Sequence, residues 1–428
     1  MRALARLLIH VFFRRVELQG GEHLPPSAPV VLVANHSNGL VDGLLLIAAL
    51  GRYPRFLGKS TLFTIPPLWP FLKLAGVIPV HRVIDGGGPN TSAFATAHTI
   101  LAGGGMVAVF PEGISHDESS LQPLKTGAAR IALEAGIESG VPGVVTVAVG
   151  LTYDAKARFR SRALVRVGEP VGVDGWAGAY RHDGPDAVRR FTDAVGEQLN
   201  VVSPPYESWA EAERLGRIAQ VVVRSPEGSL PEDVALADQV AVAERLAGVP
   251  AVREPMAALR AAFATYTRDL DLLGLSDAQV VARYPAGTLR RTLVWSLAKV
   301  LLAVPFAVIG VLVHVVPFQL MKRVSRLPTN ESIKATVKLL GCFVLFAAVY
   351  AVSGSLAGRA YGAWVGLLVA LAAPACGYAT VRLGERLTRI GGLVAGARTV
   401  RDRRGVLATV VAHRAEVVRT ACAVLARP

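Results

Sequence analysis

The stretch Pro29-Val-Val-Leu-Val-Ala-Asn-His-Ser-Asn-Gly-Leu-Val-Asp-Gly43 decides the fold. Its first part, Pro29–Ala34, is a short Val-rich run of the kind that forms a buried strand. A helical pattern follows at Val41–Leu50, and Asn38-Gly39 supplies the tight turn between the two. The same alternation recurs outward. Apolar runs stand at Val77–Val80, Met106–Phe110, Val144–Leu151 and Ala163–Val167. Helical patterns lie at Leu68–Ala75, Ala93–Leu101 and Leu124–Ala135, and a helix at Pro185–Leu199 closes the series. This predicts an α/β domain over 21–205. His36 then sits at the C-terminal end of a strand, where such sheets place ligands, and Asp42 begins the next helix.

The flanks read differently. Met1–Arg15 carries Leu4, Leu7, Leu8, Val11 and Phe12 at helical spacing opposite Arg2 and Arg6. An amphipathic helix over 1–20, lying on a membrane surface, is expected there; the plainer reading is a terminal helix covering the core. The run is short, Arg14-Arg15 closes it, and no small-residue cleavage site follows, which argues against a signal peptide. Residues 206–290 read as helices with polar breaks and no visible chemistry. Three apolar segments at 293–320, 339–357 and 361–381 fill 291–382, each long enough to cross a bilayer, and a basic cytoplasmic tail helix occupies 383–428.

Loop charge suggests a topology. Lys322, Arg323, Arg326, Lys334 and Lys338 follow the first segment; Arg398, Arg401, Arg403 and Arg404 lie in the tail; only Arg359 falls between segments two and three. Positive loops stay inside. Both basic groups are cytoplasmic if segments two and three form a hairpin and Pro305 and Gly310 break the first into a re-entrant or interfacial piece.

Composition narrows the function classes. The 428 residues are 52% hydrophobic and 18% charged, with mean hydropathy +0.42. That is more apolar than a soluble globular chain, so part of it belongs in lipid. The net charge of +14 suits an anionic surface or a phosphorylated substrate. Only 7% of residues are aromatic and none interleave with basic runs, which argues against nucleic acid. The cysteines, Cys342, Cys376 and Cys422, show no metal-like spacing and exclude a disulfide framework in the first three hundred residues.

Five blocks carry candidate chemistry. In the first, a His oriented by a carboxylate takes a proton from a hydroxyl: His36 with Asp42. In Gly76-Val-Ile-Pro-Val-His-Arg82, an arginine past a strand end suits a phosphate, against the plain reading of a surface arginine. In Phe110-Pro-Glu-Gly-Ile-Ser-His-Asp117, Pro111 and Gly113 fix a turn that holds Glu112 over the same sheet edge, while Ser115 also reads as a helix N-cap. Lys125, in Leu124-Lys-Thr-Gly-Ala-Ala-Arg130, adds charge to a helix N-terminus. Val147-Ala-Val-Gly-Leu-Thr-Tyr153 is a strand that could line the site. A metal cluster of His36, Asp42, His81 and His116 is the rival reading; no His-Glu-x-x-His or similar spacing supports it. His98 reads as structural.

Together, and in this order, the blocks resemble the glycerolipid acyltransferase family that includes the bacterial lysophosphatidate acyltransferases. The resemblance covers roughly the first two hundred residues. It implies an acyltransferase αβ domain followed by a helical segment and C-terminal transmembrane helices. It implies His36 as general base, Asp42 as its orienting partner, and Arg82, Glu112 and Gly113 as binders of a glycerol-phosphate acceptor. Ser115, His116 and Lys125 are further substrate-binding candidates. The donor is acyl-CoA or acyl carrier protein, with no cofactor and no metal. The partners are membrane lipid, the acyl thioester and the glycerol-phosphate acceptor, and the expected location is integral in the cell membrane with the catalytic domain on the cytoplasmic face.

Departures point to a branch. Five residues separate His36 from Asp42 where most members have four, and Ile114-Ser115-His116-Asp117 stands where an arginine-bearing run is common. Ala148 replaces a usual proline. The first two departures are similar to the fungal-type glycerol-3-phosphate/dihydroxyacetone-phosphate acyltransferases, which also carry C-terminal membrane segments. Expected activities are therefore acylation of the sn-1 hydroxyl of glycerol-3-phosphate (or dihydroxyacetone phosphate), acylation of lysophosphatidate, or, from another class, lipid binding without catalysis.

Overall fold

The structure, a computed structural model, describes residues 1–65, 68–81, 90–156, 158–224, 228–250, 254–324 and 331–426, without the side chains of 331–340 and Arg404. By internal contacts the chain divides into two units, 1–207 with 321–344, and 208–320 with 345–428.

In the first unit, α1 (Arg2–Phe12) runs straight into β1 (Phe13–Gln19). Then come β2 (Val30–Ala34), α2 (Leu40–Ala49), β3 (Pro54–Lys59), α3 (Trp69–Ala75), β4 (Ile78–Val80), α4 (Thr91–Ala102) and β5 (Met106–Val109). α5 (Gly127–Leu133) continues through a wider turn at Glu134–Glu138. The hairpin β6 (Val145–Tyr153) and β7 (Ser161–Gly172), α6 (Ala177–His182) and α7 (Gly184–Val202) follow.

The strands form one sheet in the order β1-β7-β6-β2-β5-β3-β4. β6, β2, β5, β3 and β4 run parallel; β7 is antiparallel to β6, and β1 pairs parallel with β7. Alternation along the central strands feeds two layers, because successive side chains point to opposite faces. Val30, Leu32 and Ala34 of β2 pack with Ala5 and Ile9 of α1 and with Leu45 and Leu46 of α2. Val31 and Val33 pack instead with Leu101 of α4, Ile131 of α5 and Phe191 of α7. The result is an α/β/α sandwich whose parallel strands present their C-terminal ends, Ala34, Lys59, Val80, Val109 and Tyr153, along one edge.

Several expectations are corrected. The helix expected over 1–20 ends at Phe12, where the chain becomes an edge strand; the half-exposed polar residues of Phe13–Gln19 gave no strand pattern. Nor is α1 a free surface helix along its whole girth, since Ala5, Ile9 and Phe12 are buried, while Leu7 faces out. β3 was unexpected because only Phe56 and Leu57 are apolar in Pro-Arg-Phe-Leu-Gly-Lys. The helix expected from Leu124 starts at Gly127, leaving Lys125 ahead of it. Arg82 lies outside the described residues.

After the α/β domain, α8 (Trp209–Val223), α9 (Leu236–Ala247), α10 (Glu254–Leu273) and α11 (Asp277–Val281) precede α12 (Ala286–Val324), α13 (Glu331–Tyr361), α14 (Ala363–Asp402) and α15 (Arg404–Leu425), of which 321–344 belong to the first unit and the rest to the second. Three of these are long and apolar enough to cross a membrane: Ala286–Val324, Gly341–Tyr361 and Ala363–Asp402. The re-entrant break expected at Pro305 and Gly310 does not occur; α12 is helical through both. Neighbouring helices tolerate such prolines in apolar spans. Gly310 serves close approach instead, since a Cβ there would stand 2.2 Å from the Cys376 carbonyl oxygen on α14. The boundary expected at 382 is likewise no break, because α14 continues to Asp402. Arg326 lies outside the described residues.

Residues 206–290 hold more polar structure than their sequence suggested. Asp277 is buried, and its oxygens accept from Arg224 Nε at 2.6 Å, Arg414 Nε at 2.8 Å and the Tyr266 hydroxyl at 2.8 Å. Arg414 also donates to the carbonyls of Val221 and Arg224. These bonds pin α15 to α8, α10 and α11, and burial beside Asp277 holds Tyr266 protonated, well above the ordinary tyrosine range.

Candidate active site

β2 delivers the first block to the C-terminal edge, and side chains then fix its path. Asn35 accepts from the Leu151 N–H at 2.7 Å and donates to the Leu151 carbonyl at 3.1 Å, an amide clamp onto β6. Gly39 takes φ +54 and ψ −131, backbone that favours glycine, and turns the chain into α2. Asp42, in the first turn of α2, thereby faces back under the loop.

The Asp42 carboxylate is fully buried and has three donors. Asn38 N–H donates to Oδ2 at 2.8 Å, the Tyr153 hydroxyl donates to Oδ1, and His36 Nδ1 stands 2.9 Å from Oδ2. Burial first, and then the charge of Asp42, push the Tyr153 hydroxyl well above the usual tyrosine range, so it remains a donor through neutral pH. A carboxylate only accepts, so Nδ1 of His36 carries the proton and Nε2 presents a lone pair away from Asp42. The imidazole stacks on Phe110 at 4.0 Å with 13° between planes, and Phe110 stacks on Phe56. Its side chain is 17% exposed.

The third block sits directly beneath. Gly113 adopts φ +73. Glu112 Oε2 accepts from the His36 backbone N–H at 2.9 Å, and Oε1 lies 3.5 Å from the Gln122 nitrogen and 2.9 Å from His116 Nε2. No solvent reaches the Glu112 side chain. In this structure the carboxylate props up the His36 backbone. Ser115 and His116 also stitch the loop. Ser115 Oγ accepts from Gly39 N–H at 3.1 Å, so it caps no helix of its own, and His116 N–H donates to the His36 carbonyl at 3.2 Å. Asn38 donates to the Lys156 carbonyl at 3.1 Å, and Lys156 Nζ reaches Asp117 at 2.8 Å, which closes the β6–β7 loop over the same edge.

Lys125 is exposed, with its backbone N–H on the Pro111 carbonyl and its stem along Gly113. Its ammonium is thus available beside the third block. His81 is joined to Asn90 through paired backbone and amide bonds, at 2.7 Å each. His98 stands 3.8 Å from Glu134, away from the site. Among the described residues no three His, Cys, Asp or Glu side chains converge as metal ligands. The sequence reading missed Asn35, Phe110, Lys156 and the hydroxyl of Tyr153. Tyr153 ends the fifth block, Phe110 begins the third and Asn35 adjoins His36 in the first; Lys156 lies outside every block and is placed by tertiary contacts.

Residues 2–150 match the family model Acyltransferase. The chain is 34% identical over 199 residues to glycerol-3-phosphate O-acyltransferase 2 of Saccharomyces cerevisiae, a match covering 45% of this chain and 26% of that protein. It is 32% identical over 206 residues to 1-acyl-sn-glycerol-3-phosphate acyltransferase alpha of Ovis aries, covering 47% and 68%. A solved structure, the 1-acyl-sn-glycerophosphate acyltransferase of Thermotoga maritima, aligns at 20% identity and TM-score 0.32 over 46% of this chain and 76% of that one. The chain thus spans about a quarter of the yeast relative's length.

If Glu112 is a prop, Glu112→Ala leaves buried donors unpaired and costs about 3 kcal/mol of stability. Thermal unfolding in detergent reads this as a lower midpoint; an unchanged midpoint contradicts the assignment.

Proposed function

The chain belongs to the glycerolipid acyltransferase family, and we propose that it moves a fatty acyl group from an acyl thioester, on coenzyme A or acyl carrier protein, to the sn-1 hydroxyl of glycerol-3-phosphate or dihydroxyacetone phosphate. The observation that carries the reading is the His36–Asp42 pair, with Nδ1 engaged at 2.9 Å and Nε2 left as base. Nε2 takes the acceptor hydroxyl proton as that oxygen attacks the thioester carbonyl carbon. The tetrahedral intermediate collapses, the C–S bond breaks, and the departing thiolate takes the proton back from His36. Developing oxyanion charge needs a preorganised donor. In the 36–39 loop the N–H groups of His36, Asn38 and Gly39 are engaged elsewhere, which leaves that of Ser37 for the role. No nucleophilic serine is needed. Lys125, with Arg82, binds the acceptor phosphate.

Both similarities, to a glycerol-3-phosphate and to a 1-acylglycerol-3-phosphate acyltransferase, fit this chemistry. The spacing of His36 and Asp42 and the Ser115-His116-Asp117 run favour the first acceptor. A lipid-binding role without catalysis has no use for a buried carboxylate that fixes a histidine tautomer.

We further propose that the protein is integral to the membrane with the catalytic domain on the cytoplasmic face. The Asp277–Arg414 bond supports an even number of crossings, because it joins α11, before the apolar helices, to α15, after them, and a bilayer cannot pass between bonded side chains. The hairpin of α13 and α14 then supplies the two crossings, and α12 completes no third. Cysteines introduced by Glu213→Cys and Arg398→Cys should label from one side and Arg359→Cys from the other; labelling of the first two from opposite sides contradicts this topology.

The activity is tested in membranes carrying wild-type or His36→Ala protein, with palmitoyl-CoA and labelled acceptor. Lysophosphatidate formed from glycerol-3-phosphate by the wild type alone is the expected result. Product only from a lysophosphatidate acceptor assigns the alternative step, and equal product from the variant removes His36 from the mechanism.

A further inference from the structure

The segment between β3 and β4 displays apolar side chains that the catalytic domain does not cover. Ile65 is 42% exposed, Trp69 43% and Leu74 63%, all within or beside α3. Scattered exposed leucines are ordinary on a soluble surface; a clustered Ile, Trp and Leu on one short element is a docking signal. The charge beside them has one sign. Lys73 Nζ sits 4.6 Å from the centre of the Trp69 ring, and the Arg55 guanidinium lies over Gly76 at the end of α3. Tryptophan beside basic side chains is the composition of a membrane–water interface.

The decisive contact is Phe71. Its ring packs edge-on against Phe343, at 4.9 Å, and in sequence Phe343 follows Lys338, the last charge before the apolar run of α13. A residue touching the first two turns of a membrane span stands near the level of the headgroups. The exposed neighbours of Phe71 therefore reach that depth too.

We infer that α3 and the turn before it form a second membrane anchor, through which the catalytic domain rests on an anionic lipid surface by Ile65, Trp69 and Leu74, with Lys73 and Arg55 at the headgroups. The turn leaves the sheet at Lys59, on the same edge that carries His36. Docking there sets the mouth of the site against the lipid phase from which acylated molecules arrive. The inference rests on the proposed membrane residence of the apolar helices, and not on the acyl-transfer chemistry.

The test uses the full chain, with Cys342, Cys376 and Cys422 replaced by serine, in vesicles of phosphatidylglycerol and phosphatidylcholine. Spin labels are attached after Ile65→Cys, Trp69→Cys or Leu74→Cys. Arg189→Cys, 63% exposed on α7, gives the water reference, and Leu312→Cys, 72% exposed on α12, gives the lipid reference. Collision with oxygen relative to a water-soluble nickel chelate should be several-fold higher at 65, 69 and 74 than at 189, approaching the value at 312. Lipid-like values at 312 with water-like values at all three α3 positions overturn the anchor alone. Water-like values at 312 overturn the membrane premise and the anchor with it.

Discussion

The site depends on a carboxylate taken fully out of water. Asp42 is buried at the start of α2, where an unpaired charge would cost several kcal/mol. Three donors offset that cost: a backbone N–H two residues past His36, the hydroxyl that ends β6, and the imidazole itself. Two come from the β2–α2 loop and one from the end of β6. The carboxylate therefore holds together the β2–α2 loop and the end of β6, and it leaves only one tautomer for His36. Asp42 lies beside the positive end of the α2 dipole, which favours the charge further.

A second buried carboxylate supports the first from below. Glu112 holds the His36 backbone while Asp42 holds the ring, so the histidine is fixed by two acids, one past the end of β5 and one in the first turn of α2. Ser115 and His116 complete the lattice through Gly39 and the His36 carbonyl. The third block thus holds the loop that carries His36, while Lys125 faces out beside it.

Much of this was legible in the sequence. The Val-rich runs at Val30–Ala34, Met106–Val109 and Val145–Leu151 became central parallel strands because only strands buried on both faces carry such runs. The strands β1 and β3 were not legible, since Phe13–Gln19 and Pro54–Lys59 mix charged with apolar residues and owe their form to pairing with neighbouring strands. His36, Asp42 and Glu112 were found by block order, but the burial of Glu112 was not, because nothing in Phe-Pro-Glu-Gly tells an acid under the loop from one above it. The long apolar helices were plain from hydropathy. That Pro305 leaves α12 intact was not, because tolerance of a proline depends on the helices around it.

The central claim is that Asp42 serves His36 by fixing its tautomer. Asp42→Asn retains the shape of the site while offering the ring an amide in place of a carboxylate. Steady-state kinetics of this variant in proteoliposomes should show kcat lower by about three to four orders of magnitude, the size of effect such a swap has in a histidine–aspartate pair, with the acceptor KM nearly unchanged. A kcat within tenfold of wild type would contradict the account.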